Sequence, residues 1–178
     1  MATTIRPPAL PVPLEQLKAY LRIRGSEEDA LLAGLLRTAT ELCEAFTRLA
    51  LIEREIEEVL PARPGWMRLG DCPVRAILTV TSLSAAGETN VLAPEDHAVD
   101  IDARGEGWVR VTRGVMGRLT VRYLAGLAQD WNGVSEPLRQ GIVRLAAHLY
   151  THRDGLSGGG PPAAVTALWL PFRRLRLS

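Results

Sequence analysis

Between residues 135 and 154 the chain carries a pattern that fits little other than a packed amphipathic helix. Leu138, Ile142, Leu145 and Leu149 fall at steps of four, three and four, which draws one apolar stripe along a 3.6-residue period. Ser135 stands where a cap is wanted, Glu136 suits the positive end of the helix dipole, and Pro137 fits a first turn that needs no amide partner. His152 and Arg153 occupy the last turn, and Gly155 offers a left-handed stop. Behind this helix come Gly158, Gly159 and Gly160, the stiff pair Pro161-Pro162, a short apolar segment, and the closing run Phe172-Arg173-Arg174-Leu175-Arg176-Leu177. This order predicts a core helix followed, over 155–178, by a hinge and a docking arm.

The rest of the chain reads as a setting for that helix. Residues 1–12 form an extended, proline-rich N-terminal arm. A helix over 13–24 places Leu14, Leu17 and Leu21 on one face, and Gly25 ends it. Ser26 followed by Asp29 is a capping-box variant that opens a second helix over 26–50. Its expected seam is Leu32, Leu35, Ala39, Leu42, Phe46 and Leu49, with Glu41 and Glu44 solvated. Between about 52 and 124 the period changes. Ile77 to Leu83 is rich in β-branched residues, His97–Ile101 and Trp108–Thr112 flank the turn Arg104-Gly105-Glu106-Gly107, and Leu119, Val121 and Tyr123 alternate with polar neighbours. The expected class is α+β. It comprises one domain over 13–154, an antiparallel helical bundle with an inserted antiparallel β-sheet and hairpin region, and the C-terminal arm beyond it.

Composition restricts the partners more than it identifies them. With 47% hydrophobic residues over 178, the chain can bury a substantial core. A net charge of +1 gives no global field to draw nucleic acid. Two cysteines, Cys43 and Cys72, make no disulfide framework, and Pro7, Pro8, Pro11 and Pro13 interrupt any apolar targeting core. No apolar run approaches the length of a membrane span, so the expectation is a soluble, cytosolic chain with reduced thiols.

Candidate chemistry is sparse. His148 and His152, four apart on a helix, could share a face and hold a metal for a hydrolase, but the glutamate of the zinc-protease motif is missing and no third ligand is close in sequence. Gly155-Leu156-Ser157-Gly158-Gly159 spells GxSxG, yet a helix precedes it where a nucleophile elbow needs a strand. His152-Arg153-Asp154 has none of the accompanying kinase motifs, and the triple glycine lacks the Lys-Ser/Thr of a phosphate loop. Glu53, Glu55, Glu57 and Glu58 read as a solvated face. No catalytic, cofactor or metal set is expected. Arg173, Arg174 and Arg176, interleaved with Phe172, Leu175 and Leu177, read as a segment that docks on another protein, with docking on its own domain as the alternative, better than as a base-reading one.

Several segments, in their order and spacing, resemble a known family. They are Leu14-Glu15-Gln16-Leu17-Lys18-Ala19-Tyr20-Leu21-Arg22-Ile23, Asp29-Ala30-Leu31-Leu32, and Ala39-Thr40-Glu41. They continue with Cys72-Pro73-Val74 leading into Ile77-Leu78-Thr79-Val80, and with Val121-Arg122-Tyr123-Leu124-Ala125-Gly126. The last are Pro137-Leu138-Arg139-Gln140, Tyr150-Thr151-His152-Arg153, and the closing Leu170 to Leu177. Over 13–178 the chain resembles the head–tail connector (adaptor) proteins of tailed phages, a family that also serves the phage-like gene transfer agents of bacteria. It departs at Thr47-Arg48-Leu49, where a glycine often follows the threonine, and around Arg63-Pro64-Gly65-Trp66.

The resemblance implies a non-enzymatic ring of about twelve copies beneath a portal protein. Such a ring extends the DNA channel, passes double-stranded DNA without reading its sequence, and offers a platform to a downstream stopper or tail-side protein. It places the chain in the head–tail neck of a virion or phage-like particle assembled in a bacterial cytoplasm, with no membrane partner and no cofactor. It also implies that Trp169, Phe172, Arg173, Arg174, Leu175, Arg176 and Leu177 reach the portal, with Gly158, Gly159 and Gly160 as hinge. A head-closure or tail-completion protein of the same particle is the neighbouring alternative. A metal-dependent hydrolase using His148 and His152 is the alternative from another class.

Overall fold

The computed structural model describes residues 2–4, 9–83, 89–112, 117–152 and 160–174. Two compact units emerge where one domain is expected over 13–154. A helical unit comprises Ala9–Ile52 and Ala128–Ser178, and a β unit comprises Met1–Pro8 and Glu53–Leu127. The chain is α+β, with the helices in one unit and antiparallel sheets in the other.

The helical unit contains α1 (Leu14–Leu21), α2 (Asp29–Thr47), α3 (Glu136–Thr151) and α4 (Ala163–Trp169). The helix expected over 135–154 is α3, and it is central, since α1, α2 and α4 all pack on it. Its buried set, Leu138, Gly141, Ile142, Val143, Leu145, Ala146 and Ala147, is broader than one stripe, as a helix touched on several sides requires. Ser135 stands at the N-cap position without making a side-chain capping bond, and the helix stops at His152.

The two earlier helices are shorter than expected. An αL residue, Arg22, ends α1 before Gly25, and α2 starts at Asp29 with Glu28, not Ser26, at the cap. Lys18, the one lysine, is only 7% exposed and joins α1 to α2 through a 2.8 Å ion pair with Asp29. The hydrogen bond to Asp29 is the main cause holding its ammonium pKa above the ordinary value. The seam of α2 is also turned. Its buried face is Leu32, Leu36, Ala39, Cys43 and Thr47, while Leu42 is exposed and Leu35 and Phe46 are half-buried. Glu44, expected in solvent, accepts a 2.8 Å bond from the Leu51 amide.

The β unit contains β1 (Ala2–Thr4), β2 (Arg54–Pro61), β3 (Met67–Arg68), β4 (Val74–Leu83), β5 (Thr89–Val91), β6 (His97–Ile101), β7 (Gly107–Val111) and β8 (Arg118–Ala125). They form a five-stranded sheet in the order β1-β2-β8-β4-β5 and a three-stranded sheet in the order β3-β7-β6. β8 is the spine of the larger sheet because Leu119, Val121, Tyr123 and Ala125 alternate inward and are all fully buried. Part of the N-terminal arm is not free: Ala2, Thr3 and Thr4 pair antiparallel with Glu58, Glu57 and Ile56.

The β6–β7 hairpin forms across the expected turn. There Oδ1 of Asp102 accepts from the amides of Arg104 and Glu106, both at 2.8 Å. Those bonds, Glu106 foremost, hold the Asp102 carboxyl below its ordinary pKa. Gly105 is required in this turn, since its φ is +74° and a Cβ there would lie 2.7 Å from Pro73.

Candidate functional site

The C-terminal arm is the candidate site, and the structure divides it. Residues 163–169 fold as α4, with Pro162 at the cap and Val165 and Trp169 buried four residues apart. A 3-10 turn over Leu170–Phe172 follows. Trp169 is fully buried and is therefore a core residue of the helical unit, not an exposed anchor. Its Nε1 donates to the Leu138 carbonyl at 3.4 Å, and its ring lies 5.9 Å from that of Phe46.

Gly141 makes this seat possible. A Cβ on it would stand 2.7 Å from Cε2 of Trp169 and closer still to Nε1. A mid-helix glycine costs stability of its own and so calls for a packing reason. That signal was available in the sequence, as was the spacing of Val165 and Trp169.

Beyond Trp169 the chain is placed at the C-terminal end of α2. Leu170 is 57% exposed, Phe172 is half-buried and Arg173 is exposed. The Arg173 guanidinium lies 5.3 Å from the Phe46 ring centroid, a cation–π arrangement. The Arg174 amide donates to the Thr47 carbonyl at 3.0 Å. Over 163–174, then, the arm is folded on its own unit and is not extended. Of the expected hinge, Gly160 is described and has φ +81°. Gly158 and Gly159, and the anchors Leu175, Arg176 and Leu177, lie outside the described residues, as do Gly155, Leu156 and Ser157 of the GxSxG match and Arg153 and Asp154.

The remaining sequence candidates have structural partners. His148 and His152 stack with ring centroids 4.2 Å apart, and Nδ1 of His152 lies 3.0 Å from the His148 carbonyl and 2.9 Å from Oγ1 of Thr151. Nδ1 of His97 lies 2.9 Å from the Ala93 carbonyl. Among the described residues no group of three or more His, Cys, Asp or Glu is placed to hold a metal, and no helix is long and apolar enough to cross a membrane.

The acidic run of β2 divides as well. Glu55 pairs with Arg122, and Glu57 is exposed. Glu58, expected in solvent, is only 8% exposed. Its Oε2 accepts from the Tyr123 hydroxyl at 2.9 Å and from the Gly70 amide at 2.8 Å. The Tyr123 oxygen in turn accepts from the Asp71 amide at 3.3 Å. Sequence reading missed this network, although the alternation Ile56, Glu58, Leu60 puts the three on one face of the strand.

Fold and surface together define an α+β protein whose C-terminal arm, over Leu170–Arg174, leaves Leu170 and Arg173 exposed. The known proteins it is similar to are particle components. It matches a chain in the neck of an empty gene transfer agent particle computed with C6 symmetry, at 25% identity and TM-score 0.81, covering 100% of this chain and 97% of that one. A chain in the virion of a native gene transfer agent particle matches at 25% identity and TM-score 0.79 with the same coverage. Another, in a native neck computed with C12 symmetry, matches at 26% and TM-score 0.73.

No family model matches the chain. Among curated proteins, a catalase-peroxidase of Picosynechococcus sp. is 28% identical over 110 residues, and the chain spans 13% of the length of that enzyme. So local a match does not outweigh likenesses that run the full length of the chain. The resemblance to head–tail connectors of gene transfer agents is thus carried by structure as well as by sequence. It supports a structural component of such a particle, located in its head–tail neck.

Proposed function

We propose that the chain is the adaptor of a head–tail neck, repeated as a ring beneath the portal so that the DNA channel continues toward the tail. The observation that carries this reading is the likeness of the whole chain, in both its helical and its β parts, to a chain of similar length in gene transfer agent necks. Twelve copies are proposed, after the symmetry of one of those necks. A net charge of +1 over the chain suits a channel wall along which a duplex must slide and not stick.

In this proposal the arm meets the portal through Phe172, Arg173, Arg174, Leu175, Arg176 and Leu177, and Gly158, Gly159 and Gly160, which precede the buried Trp169 in sequence, give the segment beyond it no reach. Trp169 has a different part, fixing the root of the arm in its own subunit. Aromatic and arginine anchors are the side chains that most often dominate such interfaces, and repetition around a ring multiplies modest contacts. A stopper or tail-side protein would then take the opposite face. No cofactor or metal is called for, and the proposed role is structural, not enzymatic.

The test is electron microscopy of purified portal rings mixed with the full chain or with a chain truncated after Pro171. The expected result is an added ring of density with the full chain and none with the truncated one. Added density with both would move the anchor elsewhere. Density on the tail side of an existing adaptor, and none on the bare portal, would assign the chain to head closure instead.

A further inference from the structure

The apolar surface of α2 is wider than its own unit covers. At 100° per residue, Leu32, Leu36, Ala39, Cys43 and Thr47 make the buried face, and Leu31, Leu35, Thr38, Leu42 and Ala45 lie directly beside it. With Phe46 between them, the two sets form one continuous arc of about 200°. A helix with so wide an arc ordinarily packs on both sides of it. Here one half is filled by the core. In the other half Leu31 is 42% exposed, Leu42 is 40% exposed and Leu35 is half-buried. Leu31 and Leu42 are eleven residues apart, so the open stripe runs about 16 Å along the helix.

We infer that this stripe of α2 is a contact between neighbouring copies of the chain, the seam that closes the ring. The inference rests on the neck-adaptor reading and adds the surface by which the copies hold one another. Two observations commit the occupant to a second copy. The matched necks were computed with C6 and C12 symmetry, and about a cyclic axis each copy has a neighbouring copy on either side. The charged rim on the solvent side of the stripe, Glu41 and Arg48, is exposed and of mixed sign. Such a rim suits a partner near neutrality, as this chain is at +1, and is a poor match for a strongly charged one such as duplex DNA. A cyclic ring is closed by a heterologous interface, so the stripe meets a different surface of the next copy and not another α2 stripe.

The experiment places a photo-crosslinking residue at position 42 of the full chain, alone at high concentration and mixed with portal rings. The expected product is a covalent pair of this chain, with a ladder of higher multiples on the portal. Crosslinking to the portal or to another chain only, or no crosslink in either sample, would overturn the inference.

A second measurement uses Leu31→Glu with Leu42→Glu, both at exposed positions, with circular dichroism confirming the helical content. The expected result is that single copies still bind the portal while ring density is lost, its midpoint shifting roughly tenfold or more in concentration. A double variant that forms the same ring at the same concentration would overturn it. Failure of the unmodified chain to bind the portal would count against the adaptor reading, whereas copy-to-copy crosslinks in the absence of portal would still stand.

Discussion

Tyr123 is the side chain whose loss can be traced most directly. Its hydroxyl donates to Glu58 and accepts from the Asp71 amide inside the β unit, so Tyr123→Phe leaves a mostly buried carboxylate one donor short. The expected cost is about 1–3 kcal/mol, read as a lower urea midpoint at neutral pH. Burial foremost, and then the negative charge of Glu58, pushes the phenol well above its ordinary value of 10.0. The folded state therefore keeps a proton that the unfolded chain releases once pH passes about 10. The contribution of Tyr123 is fully present below that pH and declines as pH rises above it. Urea midpoints measured from pH 8 to 11 should fall less steeply in Tyr123→Phe than in the parent; equal slopes would contradict the assignment.

Gly141 gives a second case at the same scale. Gly141→Ala should help an isolated helix but here drives a Cβ into the Trp169 indole, with an expected net loss of about 1–3 kcal/mol. Combining it with Trp169→Leu should cost less than the sum of the two single changes. Additive costs would mean that the glycine and the indole do not share one space.

Among the elements, β1 makes a clear test. By pairing with β2 it covers an edge of the five-stranded sheet that would otherwise present unpaired amides and carbonyls. Removing residues 1–8 should leave the helical circular dichroism signal in place while lowering the protection of the Ile56–Glu58 amides in hydrogen exchange and raising the tendency to associate. Unchanged protection there would show that β1 does not hold.

The same scale shows what periodicity can and cannot reveal. β8 and the β6–β7 hairpin were legible because strict alternation and a glycine turn each admit one register. The seam of α2 was not, because an arc of leucines, alanines and a phenylalanine broader than half a turn offers two adjacent faces. The packing of α1 and α3, and not the pattern itself, selects Leu36 and Cys43 over Leu35 and Leu42. Glu58 was hidden by its neighbours: four acids in six residues suggest solvent, yet alternation puts Glu53, Glu55 and Glu57 on one side of the strand and Glu58 alone on the inner side. The arm was half legible, since its basic and apolar character stands in the sequence, but α4 is seven residues long and takes its seat only through Gly141, 28 positions upstream of Trp169.

For the molecule as a whole, the division into two units was the least legible property. Sheet pairing joins residues far apart, as where Glu58 meets Val121, and no local signal announces it. The passage from one unit to the other is nevertheless simple. Ile52 forms a parallel bridge with Ala128, and the Ala128 amide donates to the Leu51 carbonyl at 3.2 Å, so the helical unit releases the chain and receives it back at the same point. Residues 53–127 are therefore a cassette in the genetic sense. Because the bridge is parallel, a link replacing the cassette would have to turn back on itself before re-entering at Ala128, which a tight two-residue turn does not allow. A change in the length of that cassette would leave the ends of the helical unit, Ile52 and Ala128, side by side.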